Sequence, residues 1–233
     1  MAGQFERLAE VLASGDSDGS LDPARVTHFS ARVIGATQHC GLTLLRPRAR
    51  PNTVGATDQV PRQVDALQYS LDEGPCLDAA ERDTLVVADD LGTDQRWPRF
   101  GPRCVAEVGV QSMLAVRLML TNGDQAAMNL YSRQTSGFDE DDIALATVLA
   151  PFAALAVEHQ LRQGDIEHLK AALDTSRQIS TAVGILMARH VLDSQEAFAL
   201  LTTTSQRLNR KLRDIAQEVE FTGQLPAHQP RRK

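Results

Sequence analysis

The sequence predicts an α+β fold in which a domain around an antiparallel sheet is joined by a long helix to a three-helix bundle. Short apolar runs separated by turn signals fill the chain up to residue 132, and they predict the sheet. From Asp139 onward the apolar residues recur at helical spacing. From Gln160 onward eleven Lys and Arg stand against eight Asp and Glu, whereas the rest of the chain carries 13 against 22. We therefore expect one domain over residues 1–160 and a second over 161–233.

The composition is that of an ordinary soluble protein, with 42% hydrophobic residues, 23% charged residues and a net charge of -6. Three cysteines without CxxC spacing argue against a disulfide framework and favour a reducing cytoplasm. The first residues, "MAGQFERLAEVLASGD", are acidic and amphipathic, unlike a signal peptide. No apolar run approaches the roughly 18 residues of a membrane helix. We expect a cytoplasmic protein with no membrane partner.

The first part of the chain alternates between helix and strand signals. Residues 22–39 are predicted as a helix because Asp22 is a good N-cap and Pro23 suits the first helical position. The run at 40–46 is predicted as a buried strand and 53–58 as its hairpin partner. The remaining signals predict a helix over 4–14, a short helix or loop over 61–71, and a helical start after Gly74-Pro75.

Three more strands and one helix complete the predicted sheet domain. Residues 83–90 are predicted as a strand, and residues 98–108 as a helix closed by Gly109. Strands at 111–120 and 125–132 flank "TNGD", whose Asn-Gly pair is a strong hairpin signal.

A long helix is predicted from residue 139 to about 190, with acids in its first turn. Pro151 is expected to kink this helix or to split it in two. Apolar residues at spacings of 3 and 4 then form a heptad seam, weakened by two serines. The seam predicts a coiled-coil dimer; packing on the same chain is the alternative. The seam residues are Ile166, Leu169, Leu173, Val183 and Met187.

Two short helices follow the long one. The first has Asp193 as N-cap and Glu196 three residues later, which is a capping box. The second is predicted to begin with Asn209 as N-cap and to stop at Gly223. Where the two helices meet, guanidinium groups and a helix N-terminus are suited to phosphates, although a solvated face is the simpler interpretation. The basic candidates are Arg207, Arg210, Lys211 and Arg213, with Arg189 at the end of the long helix.

Catalytic and metal chemistry have little support in the sequence. There is no GxGxxG or GxxxxGK[ST] phosphate loop. Cys40, Cys104, His28 and His39 lack metal-ligand spacing, so we predict no metal site.

A small-molecule pocket is the one candidate site in the sheet domain. Cys76 follows Gly74-Pro75 at a helix start, where it is either a stabilised thiolate or a small hydrophobe beside a cavity. Trp97 is expected to be a packed anchor. The candidate pocket residues are Cys76, Trp97, Met113 and Tyr131.

Two resemblances cover almost the whole chain. The segments "VGILMARH", "EAFALL", "SQRLNRKLRDIAQEV" and "TGQLP" make residues 165–226 resemble an ANTAR domain, the RNA-binding module of bacterial antitermination regulators. The segments "DEGPCLDA", "DQRWPRF", "GVQSMLAVRL" and "MNLYS" are similar to GAF domains that precede ANTAR domains in actinobacteria. Val183, Thr181 and Asp72 depart from these patterns, which usually have lysine, glutamine and glycine there.

The resemblance implies a cytoplasmic regulator without enzymatic activity. Its GAF domain is expected to receive a small-molecule effector, or a signal from an upstream protein. Its dimeric ANTAR domain is expected to bind paired RNA stem-loops in leader transcripts, so that polymerase passes a terminator. One alternative is a protein-protein regulator whose ANTAR bundle serves only dimerisation or partner docking. Another is a reductase of free methionine sulfoxide, which requires Cys76 and Cys104 to converge on one pocket.

Overall fold

The computed structural model describes residues 22–46, 51–81 and 84–226. The chain divides into two compact units, one ending at Arg162 and the other starting at Gln163. Residues 4–14, for which the sequence predicts a helix, lie outside the described residues.

The first unit contains a five-stranded antiparallel sheet with the strand order β2-β1-β5-β4-β3. The α+β architecture expected from the sequence is confirmed. Its elements are α1 (Pro23–Val33), β1 (His39–Leu45), β2 (Asn52–Ala56), α2 (Val60–Leu71), α3 (Pro75–Glu81), β3 (Leu85–Ala88), α4 (Phe100–Val108), β4 (Ser112–Met119), β5 (Gln125–Ser132) and the start of α5 (Glu140–His190).

The two faces of the sheet differ in chemistry because successive strand residues point to opposite sides. One face packs Leu42, Leu114 and Leu130 against α1 and α5. The other face lies under α2, α3 and α4 and carries Asn129 and Tyr131 among its apolar residues. We call the first the apolar face and the second the polar face.

Local signals explain most element ends. The side chain of Asp22 accepts the Ala24 N–H at 2.9 Å, and Gly109 closes α4 at φ 80°. The sequence predicts a helix over residues 22–39, but α1 ends at Val33. The helix ends because Ile34 takes an extended conformation, with φ -100° and ψ 105°. Gly35 follows at φ +28° and lies so close to the Asp142 carboxylate that any side chain there would collide with it.

The helix α5 runs without a break from Glu140 to His190, so Pro151 does not split it. Its first part is held on the sheet by a buried stripe that includes Ala146, Leu149 and Ala153. Contrary to the expectation from the sequence, an 18-residue window of this helix is long and apolar enough to cross a membrane, with a mean hydropathy of 1.4. Buried core helices meet the same criterion, and 44% of this window is buried. The window is therefore weak evidence for a membrane segment.

The second unit is a three-helix bundle of the end of α5, α6 (Ser194–Leu208) and α7 (Leu212–Thr222). Asp193 and Glu196 form the predicted capping box at the start of α6. The prediction for Asn209 is wrong: it is the C-cap of α6, with φ 50°, and the N-cap of α7 is Lys211. Asn tolerates the left-handed conformation that ends helices as readily as it caps their starts. The bundle core consists of Ala182, Leu186, Ala197, Leu201, Ile215, Ala216 and Val219.

Candidate functional sites

The turn between α6 and α7 presents four basic side chains to solvent within seven residues. Asn209 reverses the chain, and the Arg210 N–H donates to the carbonyl of Ser205 at 3.1 Å. The Ser205 hydroxyl donates in turn to the carbonyl of Arg210 at 2.6 Å. These bonds fix the backbone of the turn from which the basic side chains extend. The basic junction comprises Arg207, Arg210, Lys211 and Arg213, all exposed.

Only half of this positive charge is neutralised locally. Arg210 pairs with Glu218 at 2.7 Å, and Arg213 with Asp214 at 3.3 Å. Within residues 84–226 and the other described stretches, Arg207 and Lys211 form no ion pair. In the described part of the chain, no side chain makes a capping hydrogen bond to the first-turn N–H groups of α7. Two unpaired cations beside such a helix N-terminus are suited to bind phosphate groups.

Arg189 has a structural partner. Its guanidinium lies against Gly223, the C-cap of α7; a Cβ built on that glycine would be 3.0 Å from the Arg189 Cζ. A cation at the C-terminus of a helix is stabilised by the helix dipole. A contact between Arg189 and RNA stays a prediction, and the structure gives this side chain a second role.

The predicted dimer seam is exposed along α5 before the bundle begins. Leu169 and Leu173 are 62% and 61% exposed, and Ile166 is 45% exposed. Val183 and Met187, farther along, are half-buried against the bundle core. A groove of about 740 Å³ continues the seam. It is lined by Ile179 and Ser180 of α5 and by Phe198 of α6. The first three side chains of the seam, Ile166, Leu169 and Leu173, therefore lack cover from this unit's own helices.

The polar face of the sheet contains a network of buried hydrogen bonds centred on Asp65. Oδ2 of Asp65 accepts bonds from the hydroxyls of Thr43 and Thr53, both at 2.7 Å. Nδ2 of Asn129 donates to Thr43 Oγ1 at 3.3 Å and to the sulfur of Cys76 at 3.1 Å. Gln68 Oε1 accepts the N–H of Cys76 at 2.9 Å. We call the buried group of Thr43, Asp65, Gln68, Cys76 and Asn129 the Asp65 cluster.

Burial raises the pKa of Asp65 from 3.8 to about 6. The hydroxyls of Thr43, Thr53 and Tyr131 act in the opposite direction, because hydrogen-bond donors favour the ionised carboxylate. The burial effect is the larger one because Asp65 is only 2% exposed. The carboxyl group therefore titrates close to neutral pH.

The four predicted pocket residues lie together in one buried cluster on the polar face. Trp97 is anchored by a bond from its Nε1 to Asp78 at 2.8 Å and is covered by the Arg96 guanidinium. Burial raises the pKa of the Cys76 thiol, and this outweighs the hydrogen bonds, such as that from Asn129, that lower it. The geometry favours a neutral thiol at Cys76. Whether Cys76, Trp97, Met113 and Tyr131 contact a ligand stays a prediction.

The cysteines do not all converge. Cys40 packs on the apolar face, whereas Cys76 and Cys104 belong to the cluster on the polar face. Burial raises the pKa of Cys104 to about 12, so it too is a neutral thiol. In the described part of the chain, no three His, Cys, Asp or Glu side chains are grouped as metal ligands.

The Asp65 cluster is largely absent from the sequence-based candidate list, which contains only Cys76 from it. A signal was present: Asn129 interrupts an otherwise apolar strand, and a polar residue at an interior position indicates a buried partner. Asp65 and Gln68 lie three residues apart, on one face of α2. Their partners on β1 and β5 are distant in sequence, so local patterns could not connect them.

Comparison with family models finds two matches. A model of the GAF domain matches residues 24–158, and a model of the ANTAR domain matches residues 167–219. A comparison with curated proteins finds no match.

Solved structures share the fold of the first unit. The GAF domain of the Acinetobacter phosphoenolpyruvate-protein phosphotransferase is 16% identical, with a TM-score of 0.52 over 70% of this chain and 97% of that one. The corresponding domain from Coxiella burnetii is 12% identical, with a TM-score of 0.52 over 69% and 96%. A free methionine-R-sulfoxide reductase from Thermoplasma acidophilum is 14% identical, with a TM-score of 0.44 over 58% and 90%. At these identities the likeness concerns the fold alone.

Proposed function

The chain belongs to the GAF domain family and carries an ANTAR domain behind the GAF domain, and from this we propose that it binds RNA stem-loops in leader transcripts and promotes transcription antitermination. GAF domains are sensors and ANTAR domains are RNA-binding antiterminator domains, so the chain has the architecture of a regulator. The GAF unit is proposed to receive a small-molecule effector in the cytoplasm. The pocket residues Cys76, Trp97, Met113 and Tyr131 are its proposed contacts.

The observation that carries the RNA proposal is the basic junction. Arg207 and Lys211 are exposed and make no ion pair among the described residues. Arg207 lies in the last turn of α6, and Lys211 is the N-cap of α7. Unpaired cations bind phosphates more readily than paired ones, because no local ion pair has to be broken first. Arg210 and Arg213 are proposed as weaker contacts, since each has an acidic partner within 3.3 Å.

A homodimer is proposed as the RNA-binding form. The exposed leucines of the seam are too apolar to remain in water when a second copy of the same helix is available. Two copies of the basic junction then match two stem-loops. This part of the proposal depends on residues 166–187 and not on the junction itself.

The RNA proposal is tested by crosslinking and sequencing RNA in the native cell. We expect wild-type protein to enrich paired stem-loops upstream of terminators. The variant Arg207→Glu/Lys211→Glu should lose this enrichment. In vitro, each single reversal should lower the slope of log affinity against log salt by about 1. Arg103→Glu, a charge reversal on α4 of the GAF unit, is the matched control and should behave like wild type.

The outcome that contradicts the RNA proposal is a dimer that enriches no RNA in the wild type. The ANTAR bundle then serves dimerisation or partner docking, as in the protein-protein alternative. Equal RNA binding by the wild type and the double variant would instead show that RNA binds elsewhere on the protein and not at the basic junction.

The dimer is tested separately by sedimentation of Leu169→Glu and Leu173→Glu variants. Both side chains are more than 60% exposed in the single chain, so neither change should unfold it. We expect the variants to sediment as monomers, because a carboxylate cannot be buried unpaired in the seam. His168→Glu places the same charge one residue away from Leu169 and should leave the dimer intact. A monomeric wild type would contradict this part of the proposal.

A further inference from the structure

The Asp65 cluster contains buried polar atoms that no group among the described residues satisfies. Oδ1 of Asp65, Oδ1 of Asn129 and Nε2 of Gln68 are all buried without a hydrogen-bond partner. A polar atom that loses its hydration without gaining a partner is destabilising, so native interiors seldom keep one. Three such atoms within one hydrogen-bonded network indicate a place for a group from outside the protein.

The existing hydrogen bonds determine what these atoms offer. The N–H of Cys76 donates to Gln68 Oε1, which leaves the Gln68 amide nitrogen as a donor. The Thr43 hydroxyl donates to Asp65 and therefore accepts from the Asn129 amide nitrogen. The unpartnered atoms of the cluster itself are two acceptor oxygens, on Asp65 and Asn129, and one donor nitrogen, on Gln68; the neighbouring hydroxyls of Tyr69 and Tyr131 are also buried without a partner.

The charge of the cluster is unbalanced. Asp65 is 2% exposed, and its hydrogen-bond donors are the neutral hydroxyls of Thr43 and Thr53. The Tyr131 hydroxyl, a neutral group as well, also lowers the pKa of Asp65, and it makes no hydrogen bond to another described residue. Among the described residues, no Lys, Arg or His pairs with this carboxylate. A buried anion of this kind is stabilised by any cation that reaches it.

We propose that the Asp65 cluster binds a small organic cation with N–H donors, an ammonium or amidinium, which donates to Oδ1 of Asp65 and Oδ1 of Asn129. The cation supplies the missing positive charge and the missing donors in one group. An acceptor on the same ligand, such as a carbonyl, meets the Gln68 amide. The proposal rests on the sensing role proposed for the GAF unit and names the chemical class of its effector.

Binding of such a cation depends on pH through Asp65. The titratable neighbours are Arg62 and Tyr69 on α2, Cys76 on α3 and Tyr131 on β5. Arg62 is exposed. Burial raises the pKa of both tyrosines and of Cys76, so these three groups stay neutral between pH 5 and 8.

One more titratable group lies on the same strand as Thr43. His39 binds Asp58 through its Nδ1 at 2.6 Å. The variant Asp65→Asn keeps His39, so it separates the pH dependence of binding that is due to Asp65 from any that is due to His39.

The test uses the full-length protein, melted with acetamidinium as the probe and followed by fluorescence of Trp97. We expect acetamidinium to raise Tm in a saturable way at pH 7.5. Acetamide, which has the donors without the charge, and tetramethylammonium, which has the charge without the donors, should not. The apparent affinity should fall about tenfold from pH 7.5 to pH 5, as Asp65 is protonated. In Asp65→Asn the saturable shift should be lost.

Three results would overturn the proposal. They are the same saturable shift in Asp65→Asn, no saturable shift in the wild type, and a shift with acetamide as large as with acetamidinium. The last would mean that the cluster holds a neutral amide or water. Should Asp65→Asn fail to fold, the pH dependence of the wild type decides. No step uses RNA, so a negative result here leaves the RNA crosslinking experiment unaffected.

Discussion

The two faces of the sheet are built from the same strands but have opposite chemistry. On the apolar face, Leu42, Leu114 and Met128 are fully buried among other hydrophobic side chains. On the polar face, Thr43 and Asn129, next to two of these residues in sequence, are equally buried but polar. On the polar face, side-chain atoms of Asn129 in the sheet, and of Asp65 and Gln68 in the helix that covers it, are buried without hydrogen-bond partners among the described residues.

The difference separates folding from function. Burial of the apolar face stabilises the first unit, because each buried methylene group contributes about 0.8 kcal/mol. The polar face works against stability, because buried groups without partners are destabilising. Retaining such groups is typical of a binding site, where geometry is held ready for a ligand at the expense of stability. Truncating a buried apolar side chain should therefore destabilise the first unit, whereas neutralising the unpaired Asp65 carboxyl group should stabilise it.

The largest expected effect is on the apolar face. Leu114→Ala should lower the free energy of unfolding of the first unit by about 3 kcal/mol, because the site is fully buried and leaves a cavity. Urea denaturation followed by Trp97 fluorescence measures it. Met119→Ala, at the end of the same strand and 74% exposed, is the control and should change stability by less than about 0.5 kcal/mol. Equal losses of unfolding free energy in the two variants would contradict the stabilising role of the buried apolar face.

A change of opposite sign is expected at Asp65. Its pKa is raised on folding from 3.8 to about 6, so the folded state binds more protons between these values. The contribution of Asp65 to stability is then largest below pH 4 and is lost as pH rises through 6, by up to about 3 kcal/mol. Asp65→Asn should remove this loss and be the more stable protein at pH 7. Urea denaturation from pH 4 to pH 8 measures the difference between the two curves.

The control for Asp65 is Glu107→Gln, an exposed carboxyl change on α4. Its stability curve should run parallel to that of the wild type across the same pH range. A parallel curve for Asp65→Asn would mean that the carboxyl does not titrate near neutral pH.

A smaller loss is expected from Thr43→Val. Valine keeps the shape of threonine but removes the donor to Asp65 and the acceptor for Asn129. Stability should fall by about 1–2 kcal/mol, and the pKa of Asp65 should rise further because a donor to the carboxylate is gone. Carboxyl carbon shifts in an NMR titration report that pKa. Thr53→Val removes one bond in place of two and should have the smaller effect.

The local features of the fold were predictable from the sequence. Asp22 with Pro23, the capping box at Asp193 and the glycine that ends α4 all act within a few residues. Asn209 was not predictable in this way, because one residue type suits both ends of a helix. The close approach of Asp142 to Gly35, just after α1, was not predictable either, because Asp142 lies far along the chain.

The candidate sites show the same division. The basic junction was predictable because its four cations are close in sequence, but the pairing of Arg210 with Glu218 depends on the turn into α7. The Asp65 cluster joins α2, α3, β1 and β5 through hydrogen bonds that span up to 86 residues. Periodicity identifies the faces of an element but not which polar groups meet across two elements.

The two-residue alternation along β1 and β5 also makes this domain a scaffold for protein engineering. A combinatorial gene library that varies Thr43, Asn129 and Tyr131 leaves the neighbouring leucines and methionine of the opposite face unchanged. Selection from such a library can then search for new small-molecule specificities while the hydrophobic half of the sheet keeps the chain folded. The same strands thus allow a biosensor to be retuned at odd-numbered positions without redesign of the even-numbered ones.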